Sequence, residues 1–285
     1  MDASAHFLTW QLLAAILLNF VVQCLLIGAY AARLAGALSG RIATAISLFN
    51  LFMTASRVAT FFYTPMLGSL SDRAAAYALA AESSRSPAVS TFEWQLRSIV
   101  FAGTLGAAAG TALLPTFLML FMRGIASFER TRSVPRAMLR IFQLRIGADV
   151  ARSIKRPSIT ALRRLSLRRV PKNLLLFNVV VSGVYAIGVV GATYASVLDP
   201  AAARTALLSS GLVNGFAMIA FTLIVDPGSA LITDEAAKGQ RPMDDVKSLV
   251  AYLSLTTIAG MLLSQFALVP AAIIVATGAR LIAGH

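Results

Sequence analysis

The sequence has few of the residues on which most active sites depend. Cys24 is the single cysteine, which excludes a disulfide within the chain and a metal site built from several cysteines. The two histidines, His6 and His285, lie near the two ends of the chain, which argues against a histidine-based active site. Motifs of the HExxH, GxSxG and phosphate-loop types are absent. These gaps disfavour hydrolases, metalloenzymes and nucleotide-driven machines.

Charge is also scarce, and long apolar runs take its place. Charged residues make up 13% of the 285 residues, hydrophobic residues make up 58%, and the mean hydropathy is +0.76. Apolar runs of about 20 residues match the thickness of a bilayer core. The sequence therefore predicts an all-α polytopic membrane protein, with 1–285 as a single integral membrane domain. The six predicted spans are about 10–31, 42–66, 98–122, 173–198, 205–225 and 248–280.

Most of the basic residues are concentrated in one segment. The range 123–172 contains 14 Lys and Arg against Glu129 and Asp149, and it is predicted to be a cytoplasmic loop. Within it, a predicted amphipathic helix would place its basic side against an anionic leaflet. The basic residues of that helix are Arg140, Arg145, Arg152 and Lys155. The alternative is that these charges only hold the loop in the cytoplasm. In either case the net charge of +13 reports on membrane topology and not on nucleic-acid binding.

The charge distribution also predicts the orientation of the spans. With 123–172 inside, nineteen of the 25 Lys and Arg lie on the cytoplasmic side and five lie outside. This places both termini outside (N-out and C-out). Spans 1–3 and 4–6 then run in opposite directions, as a 3+3 inverted repeat requires. A faint likeness between 47–53 and 211–218, around Asn50 and Asn214, is consistent with such a repeat.

The second span carries a polar stripe through its apolar sequence. Ser47, Asn50, Thr54 and Arg57 follow one another at spacings of three, four and three, so they fall on one face of a helix. An arginine near the centre of a spanning helix costs about 2.5–3.5 kcal/mol on insertion scales, and it is retained where it faces protein, water or a charged ligand. For Ser47 and Thr54, helix–helix hydrogen bonding is an equal alternative. For Arg57 the sequence favours a functional role.

Prolines and polar segments predict where the helices end. Pro65 and the residues after it are expected to end the second helix, and 74–97 is expected to be a loop or a short surface helix. The range 226–247 is expected to be a connection. Pro270 would either kink one long last helix or divide it into a span and a half-helix.

Small and aromatic residues predict how the helices pack. Gly106 and Gly110 form a small-xxx-small pattern that would let another helix approach closely, and they would also permit a homo-oligomer. Pro115 predicts a kink in the third span. Trp10 and Tyr30 are expected at the two membrane interfaces.

Three carboxylates near the end of the fifth span are a second candidate site. Asp226, Asp234 and Glu235 could hold Mg²⁺ on a diphosphate lipid. The simpler interpretation, which the sequence favours, is capping of a helix or pairing with a cation. The candidate partners are Arg33, Arg41 and Lys238.

Four stretches of the chain resemble a known family. They are GAYAARLAG (28–36), RIATAISLFNLFMTASR (41–57), PMLGSLSD (65–72) and VDPGSALITDE (225–235). These stretches are similar to the small bacterial lipid II flippases called Amj, alternate to MurJ. The likeness covers most of the first 72 residues and the segment after the fifth span. The 123–172 loop has no role assigned by this resemblance.

The resemblance implies a function in peptidoglycan biosynthesis, cell-wall biogenesis and cell shape. Undecaprenyl-pyrophosphate-linked disaccharide pentapeptide (lipid II) would move from the inner to the outer leaflet of the bacterial cytoplasmic membrane, without a cofactor or a metal. Arg57, with Asn50, Thr54 and Ser47, would then bind the pyrophosphate within the membrane. Arg33 and Arg41 would gather it at the cytoplasmic mouth. The gating or ion-pair partners of these arginines would be Asp72, Asp226 and Asp234.

Two other functions remain open from the sequence. The first is a membrane-embedded enzyme that acts on polyprenyl or phospholipid head groups, with Asp226, Asp234 and Glu235 as metal ligands. The second is a non-transporting scaffold whose basic loop docks anionic lipid or an acidic partner.

Overall fold

The structure is a computed structural model that describes residues 7–80, 87–131 and 165–284. The described residues form helices and short connections, with no β-strand. The α-helices are α1 (Trp10–Ser39), α2 (Ile42–Ala80), α3 (Pro87–Ala112), α4 (Leu114–Thr131), α5 (Lys172–Leu198), α6 (Ala203–Leu208), α7 (Ser210–Ala220), α8 (Asp226–Ala237) and α9 (Met243–Ala283). A π-helix, Phe221–Val225, joins α7 to α8, and 3₁₀ turns occupy Leu167–Arg169 and Pro200–Ala202.

The fold class predicted from the sequence is confirmed at this level. Four helical segments of the described chain are long and apolar enough to cross a membrane: Trp10–Ser39, Lys172–Leu198, Pro200–Ala237 and Met243–Ala283. A fifth is obtained if the bent pair Pro87–Ala112 and Leu114–Phe128 forms one span. Helices are the expected outcome because hydrocarbon offers no hydrogen-bond partner to an exposed backbone.

The α1–α2 hairpin shows how the chain turns between spans. The Thr9 side chain accepts a hydrogen bond of 3.2 Å from the Leu12 amide and begins α1. At the far end Gly40 adopts φ 66°, a left-handed conformation that favours glycine, and the Arg41 amide donates to the Gly36 carbonyl over 3.1 Å. Gly36 leaves room for α2, because an added Cβ would lie 3.1 Å from Ile42 Cα.

Two helix crossings are close enough to require glycine. A Cβ on Gly106 would lie 2.2 Å from the Phe20 carbonyl oxygen, and one on Gly110 would lie 2.6 Å from the Cys24 carbonyl oxygen. The small-xxx-small pattern therefore packs α3 on α1, which confirms the prediction of close helix approach. The α5–α9 crossing is similar, since a Cβ on Gly260 would lie 2.2 Å from the Val179 carbonyl oxygen.

Several predicted helix ends are wrong. Helix α2 continues through Pro65 to Ala80, and α3 begins at Pro87, so much of 74–97 is helical. The predicted connection at 226–247 contains α8 and the start of α9. Pro65 removes one backbone donor, but leaving the helix inside an apolar layer would expose many more polar groups. The second cost is larger than the first, so the helix continues through Pro65.

Two other proline predictions have clear outcomes. The kink expected near Pro115 is confirmed, since α3 and α4 meet at Leu113 with a bend of 62°. Pro270 lies inside one continuous helix, α9, so of the two alternatives the long helix is the one observed.

The apolar core has two main clusters, one at each end of the helical bundle. Ala37, Val170, Ala236 and Val246 belong to one cluster, which brings the ends of α1 and α8 and the starts of α5 and α9 together. We call this end of the bundle the 39–42 end. The other cluster includes Leu12, Ala74, Val89, Val197 and Ala279 and marks the opposite end. Successive long helices therefore alternate in direction.

Candidate functional site

The polar stripe of α2 lies on the surface of the bundle. Ser47, Asn50, Thr54 and Arg57 are all exposed. The two hydroxyls bond within their own helix: Ser47 Oγ donates to the Ala43 carbonyl over 3.0 Å, and Thr54 Oγ1 donates to the Asn50 carbonyl over 3.0 Å. These contacts satisfy the hydroxyls without a second helix.

Arg57 differs from its neighbours because it carries a charge. It makes no ion pair or hydrogen bond with the part of the chain that the structure describes. It follows Ile42 by fifteen residues, which at 1.5 Å per residue places it about 22 Å from the start of α2. Its guanidinium lies within electrostatic range of the Tyr185 hydroxyl on α5. Among the described residues, Arg57 is therefore a cation without a counter-charge, about 22 Å along α2, and its charge reaches the Tyr185 hydroxyl.

Arg33 of α1 has a partner. Its guanidinium donates to Asp226 Oδ1, and the two side chains are 21% and 41% exposed. Asp226 is the first residue of α8, immediately after the π-helix, and Pro227 follows it. A π-helix and a proline in succession interrupt the regular hydrogen-bond ladder, and such bulges are frequent at functional sites. The carboxylate that neutralises Arg33 therefore lies at the least regular point of its segment.

A buried network of polar side chains lies next to this ion pair. The Tyr30 hydroxyl donates to Asn178 Oδ1 over 3.3 Å and shares a hydrogen bond of 3.0 Å with Thr257 Oγ1. Asn178 Nδ2 donates to the Leu253 carbonyl over 3.0 Å. Ser182 Oγ donates to Thr257 Oγ1 over 3.4 Å. The network joins α1, α5 and α9, and every buried group in it has a partner.

Tyr30 points into the bundle. Its side chain is only 6% exposed, and Arg33 lies close enough to act on its hydroxyl, while its position at a membrane interface stays a prediction. Spacing could have indicated this, because Asn19, Gln23 and Tyr30 share one face of α1 and all three are buried. The apolar sequence around a tyrosine does not indicate which residue accepts a hydrogen bond from its hydroxyl.

The other predicted site residues are distributed over both ends. Arg41 is exposed in the turn after α1. Asp72 is exposed near the end of α2, fifteen residues beyond Arg57 and so about 22 Å farther along the same helix. The structure does not bring Asp72 near Arg33, Arg41 or Arg57 and places it at the opposite end of the bundle.

The three carboxylates of the second candidate site also separate. Asp226 contacts Arg33, and Glu235 Oε2 accepts a hydrogen bond from Arg241 Nη1 over 3.0 Å. Asp234, which precedes Glu235 in the sequence, is half-buried. No group of three histidine, cysteine, aspartate or glutamate side chains that could hold a metal is found in the described ranges.

Arg241 organises the polar cluster at the 39–42 end. Its Nε donates to Asp245 Oδ2 over 2.8 Å, in addition to its bond with Glu235. The hydrogen bond with Asp245 is the main reason that the pKa of Arg241 is raised, and burial opposes it. Arg169 approaches the same Asp245 through an ion pair of 3.6 Å. The cluster anchors the end of the basic loop to α9.

The predicted interfacial helix lies outside the described residues. This applies to all four of its basic residues, Arg140, Arg145, Arg152 and Lys155.

Comparison with known proteins identifies one family. The family model described as "Amj: Alternate to MurJ" matches residues 18–279. The chain is 32% identical over 272 residues to the lipid II flippase Amj of Bacillus subtilis (strain 168), covering 95% of this chain and 97% of that protein. No solved structure matches the chain.

Proposed function

The chain belongs to the Amj (Alternate to MurJ) family, and on that premise we propose that it is a lipid II flippase. It carries the peptidoglycan precursor across the bacterial cytoplasmic membrane, from the inner to the outer leaflet. It is a multi-pass transporter and not an enzyme. The flipped lipid is a polyprenyl diphosphate joined to a disaccharide pentapeptide, so its head group is anionic and strongly hydrated.

The observation that carries this proposal is Arg57, which is exposed and has no partner among the described residues. A charge at this depth is expensive in hydrocarbon unless an anion or water faces it. A diphosphate supplies that anion during transport. The stripe of Ser47, Asn50 and Thr54 continues from Arg57 towards the start of α2 and offers polar groups along the way. The prenyl tail would remain in lipid beside the apolar surface of the same helix, where Phe61 is 73% exposed.

We propose six spans with both termini outside. We assign them to α1, α2, the bent α3–α4 pair, α5, the 200–237 segment and α9, with 1–285 as one membrane domain. The alternating helix directions and the clustering of Val170 and Ala236 with Ala37 support this topology. The 39–42 end is then cytoplasmic, and so is the basic loop at 123–172, whose arginines and lysine would bind anionic lipids.

A 3+3 inverted repeat is part of the same proposal. In each half the third helix crosses the first at a glycine. Gly106 of α3 packs on α1, and Gly260 of α9 packs on α5. The second helix of each half, α2 or α7, packs beside the first. Inverted repeats place a substrate site near the middle of the membrane, between the two halves. Arg57 and Tyr185 come from different halves, and the charge of Arg57 acts on the Tyr185 hydroxyl.

The cytoplasmic mouth would contain Arg33 and Arg41. Asp226 forms an ion pair with Arg33 in the structure, so an incoming diphosphate must compete with this carboxylate for the guanidinium. We propose that Asp226 acts as an internal substitute for the substrate anion. Its release would free the segment that begins at the π-helix, and Asp234, on the same helix, would follow it. A two-state element of this kind converts binding into motion.

The metal-dependent enzyme is the weaker alternative. Its three carboxylates have separate surroundings, with Asp226 on Arg33 and Glu235 on Arg241. That arrangement favours ion pairing over a shared cation.

Complementation tests the proposed function. The protein is expressed as the sole candidate in a bacterium depleted of its lipid II flippases, and outer-leaflet lipid II is measured together with growth. We expect growth and outer-leaflet lipid II to be restored. If the protein inserts correctly but lipid II stays inside, the flippase proposal fails. A variant that lacks 136–164 separates the scaffold from the transporter, because only a scaffold loses all function without that loop.

A further inference from the structure

Two helices from different halves of the chain pack on α5. Helix α2 packs on α5, and so does α7. Arg57 of α2 lies within electrostatic range of the Tyr185 hydroxyl, and Asn214 of α7 lies against Gly188, one helical turn farther along α5. Helices α2 and α7 therefore each bring a polar side chain to neighbouring turns of α5.

Asn214 is a polar side chain that has no protein partner. Its Oδ1 atom is buried and makes no hydrogen bond with the described part of the chain. A Cβ on residue 188 would lie 2.0 Å from this oxygen, so the amide reaches the α5 backbone only because residue 188 is glycine. An unsatisfied buried amide costs about 1–3 kcal/mol. The position suits a side chain that is completed by a ligand.

Tyr185 has the same property. Its hydroxyl makes no hydrogen bond within the described residues, although Tyr30, on the neighbouring network, has two partners. Arg57 acts on it electrostatically. A guanidinium donates up to five hydrogen bonds and accepts none, and a phenol can donate one. Such a pair recognises an anion with several acceptor oxygens.

The helix that carries Asn214 is also irregular. The segment is interrupted at Ser209, between α6 and α7, and again by the π-helix at Phe221–Val225. Interrupted helices of this kind form the substrate sites of many transporters. Asn214 lies between the two interruptions.

We propose that Arg57, Tyr185 and Asn214 form one head-group site, in which Arg57 and Tyr185 bind the diphosphate and Asn214 binds the adjoining sugar. This inference rests on the proposed function and adds two residues from the second half of the chain. Tyr185 donates its proton to a phosphate oxygen that Arg57 also contacts. The neutral amide of Asn214 has a donor and an acceptor, which match a sugar hydroxyl or acetamido group.

Binding to the purified full-length protein in proteoliposomes tests the site. The ligands are lipid II and undecaprenyl diphosphate, which lacks the sugar. Tyr185→Phe should weaken the binding of both ligands about tenfold, as expected for one hydrogen bond to a charged group. Asn214→Leu, a change of similar volume, should weaken lipid II binding and leave undecaprenyl diphosphate unchanged. Tyr252→Phe is the matched control, since its hydroxyl also makes no hydrogen bond with the described residues, and it should bind as the wild type does.

A double-mutant cycle between Arg57→Gln and Tyr185→Phe provides a second readout that folding alone does not change. Because both side chains hold the same phosphate, the combined loss should be smaller than the product of the single losses. If Tyr185→Phe and Asn214→Leu bind and transport lipid II normally while Arg57→Gln does not, this inference is wrong and the flippase proposal stands. If the wild type neither binds nor transports lipid II, the proposed function is wrong as well.

Discussion

At the scale of single residues, Arg33 and Arg57 have opposite surroundings. Arg33 is neutralised by Asp226, so its charge costs little in the structure as it stands. Arg57 is exposed and has no partner in the described chain, so its cost is met only when an anion or water is present. The pairing of one and not the other suggests an order of events, with exchange at Arg33 first and capture at Arg57 second.

Arg57→Ala should abolish transport, and Arg57→Lys should retain part of it. Loss of one partner of a buried charge pair costs about 2–5 kcal/mol, which corresponds to at least a thirtyfold loss. Lysine keeps the charge but not the forked geometry that binds two phosphate oxygens. Lipid II flipping in proteoliposomes measures both variants. Arg204→Ala removes an exposed arginine at the opposite end and should have no effect. Normal flipping by both Arg57 variants would exclude Arg57 from the site.

Asp226→Asn should raise the affinity for lipid II about five- to tenfold and lower the turnover rate. The reason is that the amide no longer competes for Arg33, while the switch that the ion pair provides is lost. Binding and flipping are measured on the same preparation. Asp72→Asn is the control, because Asp72 is exposed and makes no ion pair with the described residues. A fall in both affinity and thermal stability for Asp226→Asn would show that the pair only holds the fold together.

At the scale of helices, contact between backbones sets the tolerance for substitution. The α1–α3 and α5–α9 crossings bring a carbonyl of one helix against a glycine of the other. Neither backbone can withdraw without moving a whole helix, unlike a flexible side chain. Other helical glycines, such as Gly278, have nothing within 4 Å of an added Cβ.

Gly106→Ala should lower the thermal stability of the protein in detergent, whereas Gly278→Ala should leave it unchanged or raise it slightly. The first substitution places a methyl group 2.2 Å from the Phe20 carbonyl oxygen, and overpacking of this kind costs about 1–3 kcal/mol. The second gains up to about 1 kcal/mol of helix propensity. Equal melting temperatures for the two variants would contradict the close crossing of α1 and α3.

At the scale of the whole molecule, each end of the bundle has its own charge pattern. Glu235, Arg241 and Asp245 form a cluster at the 39–42 end, next to the basic loop. The opposite end contains the Arg280–Asp199 ion pair and few other basic groups. By the positive-inside rule, we propose that the 39–42 end faces the cytoplasm.

Cysteine labelling tests this orientation, and the single native cysteine makes the experiment simple. In a Cys24→Ala background, Ala201→Cys should react with an impermeant maleimide in intact cells, because residue 201 is exposed at the opposite end. Lys238→Cys, exposed at the 39–42 end, should react only after the membrane is permeabilised. The reverse pattern would invert the proposed topology.

Local sequence predicted much of the architecture. The helical class, the kink near Pro115 and the close packing at Gly106 all follow from short stretches of the chain, because the bilayer leaves helices as the main solution and glycine as the residue for close contact. Helix ends were predicted less well. The low helix propensity at Pro65 and in 226–247 predicts helix breaks there. The need to satisfy backbone hydrogen bonds in an apolar layer outweighs that low propensity, and helices form.

The sequence by itself determined that this protein is a helical membrane protein with an arginine in its second helix, because hydropathy and charge act within one helix. Only the tertiary structure decided which groups meet. Arg33 and Asp226 are 193 residues apart, Tyr30 and Asn178 are 148 residues apart, and no periodicity connects them. In the proposed site, Tyr185 of α5 and Asn214 of α7 join Arg57 of α2, although the three residues are far apart in the sequence. Side-chain partners in a membrane depend on how helices pack, and packing is a property of the whole chain.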